Sequence, residues 1–169
     1  DQFSKDSRYR TELYKLRRKF MSHADGLIHA DLHTSNIMAS RDKMKVIDME
    51  FAFMGPFGYD LGYLVGNLIS QYCAACFKRF PSEQSRKQFK AYLLATIKSL
   101  IETYMKTFTL CWEKSVKERY RGQQGLLQSI LQEVMEDVPG YASMVNWFRS
   151  VSEIPYPDFD IIEDKDEIE

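Results

Sequence analysis

The amino-acid sequence predicts an α+β domain that is mostly helical, with one small β-hairpin near its start. Apolar residues recur at helical spacing through most of the 169 residues, whereas the stretch after Gly26 has no helical period and has the composition of short strands and turns. Because 44% of the residues are hydrophobic, the chain can bury the core of one globular domain.

The first predicted element is an amphipathic helix over residues 3–22. Basic residues occupy most of the positions outside its apolar face, as expected for a helix that packs on one side only. The apolar face is formed by residues three or four positions apart: Tyr9, Leu13, Leu16 and Phe20.

Short strands are predicted after this helix. Leu27 and Ile28 form a brief apolar segment behind Gly26, and residues 36–39 and 45–47 are two further strand candidates. The intervening sequence "SRDK" has the composition of a turn, so these last two candidates are expected to pair as a hairpin.

Helices are predicted for the rest of the chain, over 59–77, from 82 to about 107, over 126–138 and over 141–151. The apolar composition of the first implies burial, and Ser82 suits the N-cap of the second. Pro139 and Gly140 are expected to end the third helix, and Pro155 and Pro157 to forbid continuation of the fourth.

Cysteine content indicates a reducing environment. Three cysteines do not form a disulfide framework, and Cys73 and Cys76 lie in an apolar helical pattern, so buried free thiols are expected rather than a redox or zinc site. A cytoplasmic location follows from this. No signal peptide opens the sequence and no apolar run approaches the roughly 18 residues of a membrane span, so no membrane partner is expected.

Charge is unevenly distributed along the chain. Residues 158–169 hold seven acidic residues and one lysine, which leaves 22 basic and 17 acidic residues in the rest. This acidic tail is expected to be solvated. The mildly basic body suits a small anionic ligand, and it is too weakly basic for a nucleic-acid partner.

Polar residues with the chemistry of phosphate and metal handling follow one another between residues 31 and 50. A loop carboxylate such as Asp31 can orient or accept the proton of an alcohol. Amide and carboxylate oxygens are ligands suited to Mg²⁺, and Asn36, Asp48 and Glu50 supply them. If residues 48–50 are extended, the alternation of side chains along a strand places the carboxylates of Asp48 and Glu50 on one side. Together with Asp31 and Asn36, they are expected to converge on one ion.

Each of these residues has a plainer explanation when taken alone. Loop aspartates cap turns, and an Asp-x-Glu pair is common on a solvated strand face. His29 and His33 can be structural histidines with satisfied hydrogen bonds, and a structural role is preferred for His29. Order and spacing together favour the functional interpretation.

The runs "HADLHTSN" and "VIDMEF" resemble the catalytic loop and metal-binding segment of the protein-kinase-like small-molecule kinases, which include the aminoglycoside and choline phosphotransferases. The longer run from Leu27 to Tyr72 is similar to the methylthioribose kinases. The resemblance implies that residues 1–157 form the C-terminal lobe of a protein-kinase-like fold, whose hairpin carries the catalytic and metal-binding residues. It also implies the cofactors ATP and Mg²⁺, and phosphorylation of the 1-hydroxyl of 5-methylthioribose in methionine salvage.

The resemblance implies a role for each polar residue of this region. Asp31 is the catalytic aspartate, which faces the acceptor hydroxyl. The metal ligands are Asp48, Glu50 and Asn36. The substrate-binding residues are His33 and Arg149. The structural supports of the catalytic loop are His29 and Asp60, and Asp60 ties the start of the following helix to that loop.

Three positions depart from the methylthioribose kinase pattern. Ala30 stands where these kinases have glycine, which predicts a backbone φ below zero at this position. Asn36 replaces a small residue, as in the wider superfamily. Of two sugar-binding arginines only Arg149 is retained, because the other position is Phe148.

A nucleotide-binding N-terminal lobe is absent from this sequence. Such a lobe needs a Gly-rich loop and a strand lysine, and the residues ahead of Leu27 form one helix instead. The chain begins with Asp1, so it is expected to be a piece of a longer protein and inactive by itself. Its expected partners are the missing lobe and a small-molecule alcohol, with a homodimer left open.

Other functions fit parts of the same pattern. A choline, aminoglycoside or other sugar phosphotransferase would share the chemistry, and rings from Trp112, Trp147 and Tyr141 could cage the ammonium group of choline. A non-catalytic, pseudokinase-like interaction lobe is the alternative from another class, and a purely structural helical domain is the third.

Overall fold

The computed structural model of the chain describes residues 5–151. Within that range the helices are α1 (Ser7–Ser22), α2 (Gly58–Ala74), α3 (Glu83–Ser115) and α4 (Gln124–Val151). The strands are β1 (Gly26–Ile28), β2 (Ile37–Ala39), β3 (Met44–Val46) and β4 (Phe53–Gly55). The first two residues of the predicted opening helix, Pro155, Pro157 and the acidic tail lie outside the described residues. The α+β class and the predominance of helix are confirmed.

Two small antiparallel sheets lie between α1 and α2. The predicted hairpin is present as β2 and β3, with Ile37 opposite Val46 and Ala39 opposite Met44. The other sheet pairs β1 with β4, so that Ile28 lies opposite Phe53. This second pairing was not predicted, because three-residue strands separated by a whole hairpin leave little periodic signal in the sequence.

The capping residue of α3 was predicted correctly. The Ser82 hydroxyl accepts a hydrogen bond from the Ser85 N–H at 3.1 Å, which satisfies one of the free donors at the start of the helix. The helix then continues to Ser115, consistent with the expectation that it reaches Thr107 or further.

The predicted break at Pro139 is wrong, since α4 runs through it without interruption. Proline removes one backbone hydrogen bond, but buried residues on both sides of it pack against the same neighbour. Val134, Val138 and Ala142 belong to one core cluster with Leu61 and Val65 of α2. This packing holds the two predicted helices in one continuous helix.

Three glycines let α2 and α4 approach each other closely. Gly58, Gly62 and Gly66 are spaced four residues apart, so they lie along one side of α2. A Cβ added at Gly66 would lie 2.8 Å from the Ala142 carbonyl oxygen, and one at Gly62 would lie 2.6 Å from Tyr141 Cβ. The backbone of α4 therefore occupies the space that side chains would need.

An aromatic cluster joins α1 and the β1–β4 sheet to this helix pair. The Phe20 ring centroid lies 5.0 Å from that of Phe53 and 4.6 Å from that of Tyr59. Tyr59 in turn contacts Tyr141 edge to face, at 5.0 Å between centroids. Lys19 adds an ion pair from α1 to Asp137 of α4, with 2.5 Å between Nζ and Oδ2. The strand β1, which leads into the next loop, is therefore part of a well-packed region of the core.

The expectation of buried cysteines is wrong. Cys73, Cys76 and Cys111 are free and exposed. Cys73 lies in the last turn of α2 and Cys76 just beyond its end, and the fully buried residues there are Ala74 and Ala75, between the two cysteines. Among the described residues, no helix combines the length and apolar character needed to cross a membrane.

The close approach of α2 and α4 makes Gly66→Ala a sharp test of the fold. We expect this substitution to lower the free energy of unfolding by about 1–3 kcal/mol, because the new methyl group would overlap backbone atoms of α4 that cannot move independently. Gly125→Ala is the matched control, since nothing lies within 4 Å of the added Cβ, and it should be neutral or stabilising by up to about 1 kcal/mol. Urea denaturation measures both; equal effects would contradict the packing.

Candidate functional site

The loop after β1 is held by a single carboxylate at the start of α2. Asp60 Oδ2 accepts a hydrogen bond from the His29 N–H at 2.6 Å, and Oδ1 accepts one from the Ala30 N–H at 3.0 Å. Burial raises the pKa of Asp60, and the two backbone bonds partly counter this effect. Asp60 lies in the first turn of α2, and the N-cap position is Phe57, so Asp60 is not the capping residue. The tie between helix and loop, predicted from the resemblance, is present.

The backbone conformation of Ala30, which lies directly before Asp31, is unusual. Ala30 has a φ of +68°, in the left-handed region, which contradicts the expectation that its methyl group requires a negative φ. For a residue other than glycine this conformation costs roughly 1–2 kcal/mol. The hydrogen bonds from the N–H groups of His29 and Ala30 to Asp60 offset that cost. The chain then turns so that the side chain of Asp31 faces α2.

Asp31, the predicted catalytic residue, is half-buried and contacts groups from two directions. Its Oδ1 accepts a hydrogen bond from the Tyr63 hydroxyl at 3.1 Å. Its Oδ2 lies 3.4 Å from Nε2 of His33, a predicted substrate-binding residue. These contacts give the two carboxylate oxygens different surroundings.

His29 links the loop to the segment that follows the hairpin. Its Nε2 lies 2.8 Å from the Ile47 carbonyl oxygen, and its Nδ1 accepts a hydrogen bond from the Asp31 N–H at 3.3 Å. A carbonyl oxygen can only accept, so Nε2 carries the ring proton, and both ring nitrogens are satisfied. His29 is 5% exposed, and its contacts are those of a structural histidine, as preferred from the sequence.

Asn36 closes the same loop from its other end. Its Nδ2 donates to the Asp31 carbonyl oxygen at 3.0 Å, and its own carbonyl oxygen accepts from the Ile47 N–H at 3.0 Å. The amide nitrogen of the side chain therefore faces the loop. Since Ile47 directly precedes Asp48, its bonds to His29 and Asn36 fix where the acidic segment begins.

The predicted geometry of Asp48 and Glu50 is wrong. Asp48 has a φ of +66°, and residues 49–52 form a turn closed by the Ala52 N–H and the Met49 carbonyl oxygen at 3.1 Å. Strand alternation therefore does not apply, and both side chains are exposed. Pairing of the hairpin strands, not alternation, places Asp48 near Asn36.

A metal site with three acids is not formed. Within residues 5–151, no group of three or more histidine, cysteine, aspartate or glutamate side chains is placed to hold a metal ion. Asp31, Asp48 and Glu50 thus do not converge as expected, since the turn after Asp48 redirects the chain. Asn36 and Asp48 nevertheless provide hard oxygen donors at the open end of the hairpin, and Mg²⁺ needs only one or two protein carboxylates. These donors fit Mg²⁺ in chemical type.

Two further side chains of α2 contact the loop, and the sequence analysis missed both. Tyr63 bonds to Asp31, and Asn67 Oδ1 accepts from the Thr34 hydroxyl at 2.8 Å and from the Thr34 N–H at 3.3 Å. Tyr63 and Asn67 follow Asp60 by three and seven residues, so all three lie on one helix face. That spacing was readable in the sequence once Asp60 was assigned to the loop.

Arg149, the other predicted substrate-binding residue, is buried near the end of α4. It is 8% exposed, and its positive charge lowers the pKa of the Tyr63 hydroxyl against the raising effect of burial. The structure therefore places Arg149 near Tyr63.

Two of the three aromatic residues considered for a choline cage lie away from the predicted site. The Tyr141 side chain is fully buried in the core. Trp112 lines a different cavity of about 590 Å³, together with Lys19 and Tyr120, and none of the predicted site residues lines that cavity.

The sequence of this region identifies the family of the chain. Residues 5–100, which include the whole loop, the hairpin and α2, match the sequence profile of the phosphotransferase enzyme family, and the chain belongs to that family.

Relatives that share much of this sequence include methylthioribose kinases. The methylthioribose kinase of Geobacillus thermodenitrificans (strain NG80-2) is 36% identical over 162 residues, which is 96% of this chain and 38% of the relative. Methylthioribose kinase 1 of Oryza sativa subsp. japonica is 38% identical over 109 residues, or 64% of this chain and 25% of the relative. The chain thus spans about two fifths of the length of the bacterial relative.

Removing the Asp60 carboxylate should release the loop. In Asp60→Ala the N–H groups of His29 and Ala30 lose their acceptor, and we expect a loss of about 2–3 kcal/mol, because hydrogen bonds to a charged group are the stronger kind. Amide hydrogen exchange at these two positions should accelerate more than in the helices. The exposed control Asp42→Asn should leave both rates unchanged; unchanged exchange in Asp60→Ala would contradict the tie.

The positive φ of Ala30 yields a second prediction. Ala30→Gly should raise the free energy of unfolding by about 0.5–1 kcal/mol, since the relief of left-handed strain exceeds the extra entropy of the unfolded chain. Ala39→Gly, on an exposed strand position with ordinary φ, should lower it by about 0.5–1 kcal/mol. Thermal denaturation of the two variants tests this difference in sign.

Proposed function

We propose that this chain is the catalytic lobe of an ATP-dependent kinase that phosphorylates a small-molecule alcohol, with 5-methylthioribose as the acceptor and its 1-hydroxyl as the reacting group. The observation on which the proposal depends is the fixed Asp31 carboxylate, contacted by Tyr63 and His33 beside a hydrogen-bonded loop. Membership in the phosphotransferase family and the names of the relatives support the reaction and the acceptor.

Asp31 is suited to orient the acceptor hydroxyl and to take its proton. Its side chain is 27% exposed, so one side remains open to a ligand while the other contacts α2. Phosphoryl transfer demands mainly positioning and neutralisation of charge, and a carboxylate held at both oxygens meets the first demand. His33 lies close enough to Asp31 to contact the same acceptor.

Mg²⁺ would be held by Asp48 and by the amide oxygen of Asn36, with Glu50 as a third candidate. When bound, the ion would neutralise charge on the β- and γ-phosphates of ATP. Asn36 contributes by using its amide nitrogen to bond the loop that carries Asp31, so its amide oxygen is the atom proposed to bind the ion. Ile47 contributes by anchoring the backbone directly before Asp48.

The rest of the protein would supply the nucleotide-binding lobe. Apolar side chains are exposed on both small sheets, and exposed apolar side chains that cluster on a surface are typical of an interface. Leu27 and Met54 are cross-strand partners at 67% and 51% exposure, and Met38 and Met44 are exposed on the hairpin. We expect the missing lobe to cover these residues, and the isolated chain to lack kinase activity.

Asp31→Asn in the full-length protein tests the proposed catalysis. The amide keeps the size of the side chain but cannot accept the acceptor proton, so kcat should fall by about 10²–10⁴-fold. Asp25→Asn, at an exposed position away from the loop, is the control and should retain activity. Undiminished phosphorylation in Asp31→Asn would overturn the catalytic assignment.

The acceptor is tested by comparing kcat/KM for methylthioribose, choline and an aminoglycoside. We expect methylthioribose to be preferred by at least about 100-fold, as expected when hydrogen-bonding groups of a site are left unpaired by the wrong ligand. A preference for either of the other two acceptors would keep the kinase chemistry and reject the proposed substrate.

A further inference from the structure

The Tyr63 hydroxyl lies between a buried cation and the catalytic carboxylate. It donates to Asp31 Oδ1 at 3.1 Å, and the charge of the nearby Arg149 acts on it in the opposite sense to burial, lowering the pKa of Tyr63. Burial and the neighbouring Asp31 charge raise the pKa of Tyr63 to about 12, so it remains a neutral donor at physiological pH.

The direction of the hydrogen bond to Asp31 follows from the chemistry of the groups. A guanidinium can only donate and a carboxylate can only accept, whereas a phenol does both. Tyr63 donates its single proton to Asp31, and its oxygen is left able to accept from Arg149. Hydrogen bonds in such a chain polarise one another, which strengthens the bond to the carboxylate.

The chain makes the two oxygens of Asp31 inequivalent. Oδ1 is occupied by Tyr63 on the α2 side. Oδ2 lies on the side of His33 Nε2 at 3.4 Å and of Asn36 Nδ2 at 3.5 Å, which are long contacts that a ligand can replace. Oδ2, whose contacts are the longer ones, is therefore the oxygen more readily freed to receive a proton from an acceptor.

We propose that Tyr63 is a positioning residue, which holds Asp31 Oδ1 and couples it to Arg149 so that Oδ2 is the oxygen that meets the acceptor hydroxyl. This inference rests on the proposed kinase function. In the reaction, the acceptor oxygen bonds to the γ-phosphorus and the bond from that phosphorus to the β,γ-bridging oxygen breaks. The electron pair leaves with ADP, and the acceptor proton passes to Oδ2. Tyr63 keeps its own proton throughout.

Tyr63→Phe in the full-length protein tests the inference, because it removes only the hydroxyl. We expect kcat to fall by about 10- to 100-fold, the effect of losing one hydrogen bond to a charged group, while KM for ATP changes by less than about twofold. Tyr104→Phe is the matched control: its hydroxyl donates to the Phe57 carbonyl oxygen at 3.0 Å, and burial likewise raises the pKa of Tyr104 to about 12. It should lose similar stability and retain kcat.

A double variant separates positioning from a merely structural role. In an Asp31→Asn background, Tyr63→Phe should cause little further loss of kcat, because the group that it positions is already disabled. Arg149→Gln should lower kcat less than Tyr63→Phe does, and the two changes should not be additive. Full additivity in both combinations would overturn the inference.

The outcomes also distinguish this inference from the proposed function. If Asp31→Asn keeps normal activity, the proposed function fails, and the inference fails with it. If Asp31→Asn is inactive while Tyr63→Phe matches Tyr104→Phe in kcat, only the role of Tyr63 is rejected. If Tyr63→Phe is too unstable to assay, the kcat of Arg149→Gln tests the inference instead. An unchanged kcat in Arg149→Gln would reject the proposed coupling between Arg149 and Tyr63.

Discussion

The geometry of the site depends on one carboxylate that binds two consecutive backbone N–H groups. Asp60 reaches from the first turn of α2 to the amides of His29 and Ala30, so its charge is stabilised by the loop and by the N-terminal end of the helix. Without these bonds, neither the left-handed conformation of Ala30 nor the burial of a carboxylate would be favourable. The position of Asp31 is thus set by Asp60.

The helix α2 performs two tasks on different faces. The glycines at 58, 62 and 66 bring it against α4, which fixes its axis in the core. The polar side chains of Asp60, Tyr63 and Asn67 then contact the loop at three successive points. A polar face can hold a loop rigidly only if the helix itself cannot shift, so the packing of the glycines is a condition for the site.

The sequence predicted the parts of the structure that local patterns determine. The hairpin, the α3 cap and the role of Asp60 were visible in turn composition, capping chemistry and a family resemblance. Continuity of α4 was not, because tertiary packing overrides the local preference of Pro139. The positive φ values of Ala30 and Asp48 were also not predictable, since bonds to residues distant in the sequence stabilise them. Tyr63 was missed because its partner, Asp31, is 32 residues away.

The central claim is that the polar face of α2 fixes the catalytic loop and that the hairpin places Asp48 and Asn36 together for Mg²⁺. A crystal structure of the full-length protein with Mg²⁺ and a non-hydrolysable ATP analogue tests it most directly. The account predicts that Asp60 bonds the amides of residues 29 and 30, that Tyr63 contacts one oxygen of Asp31, and that Asp48 and Asn36 both ligate the ion. A loop detached from Asp60, or a metal ion bound without Asp48, would contradict it.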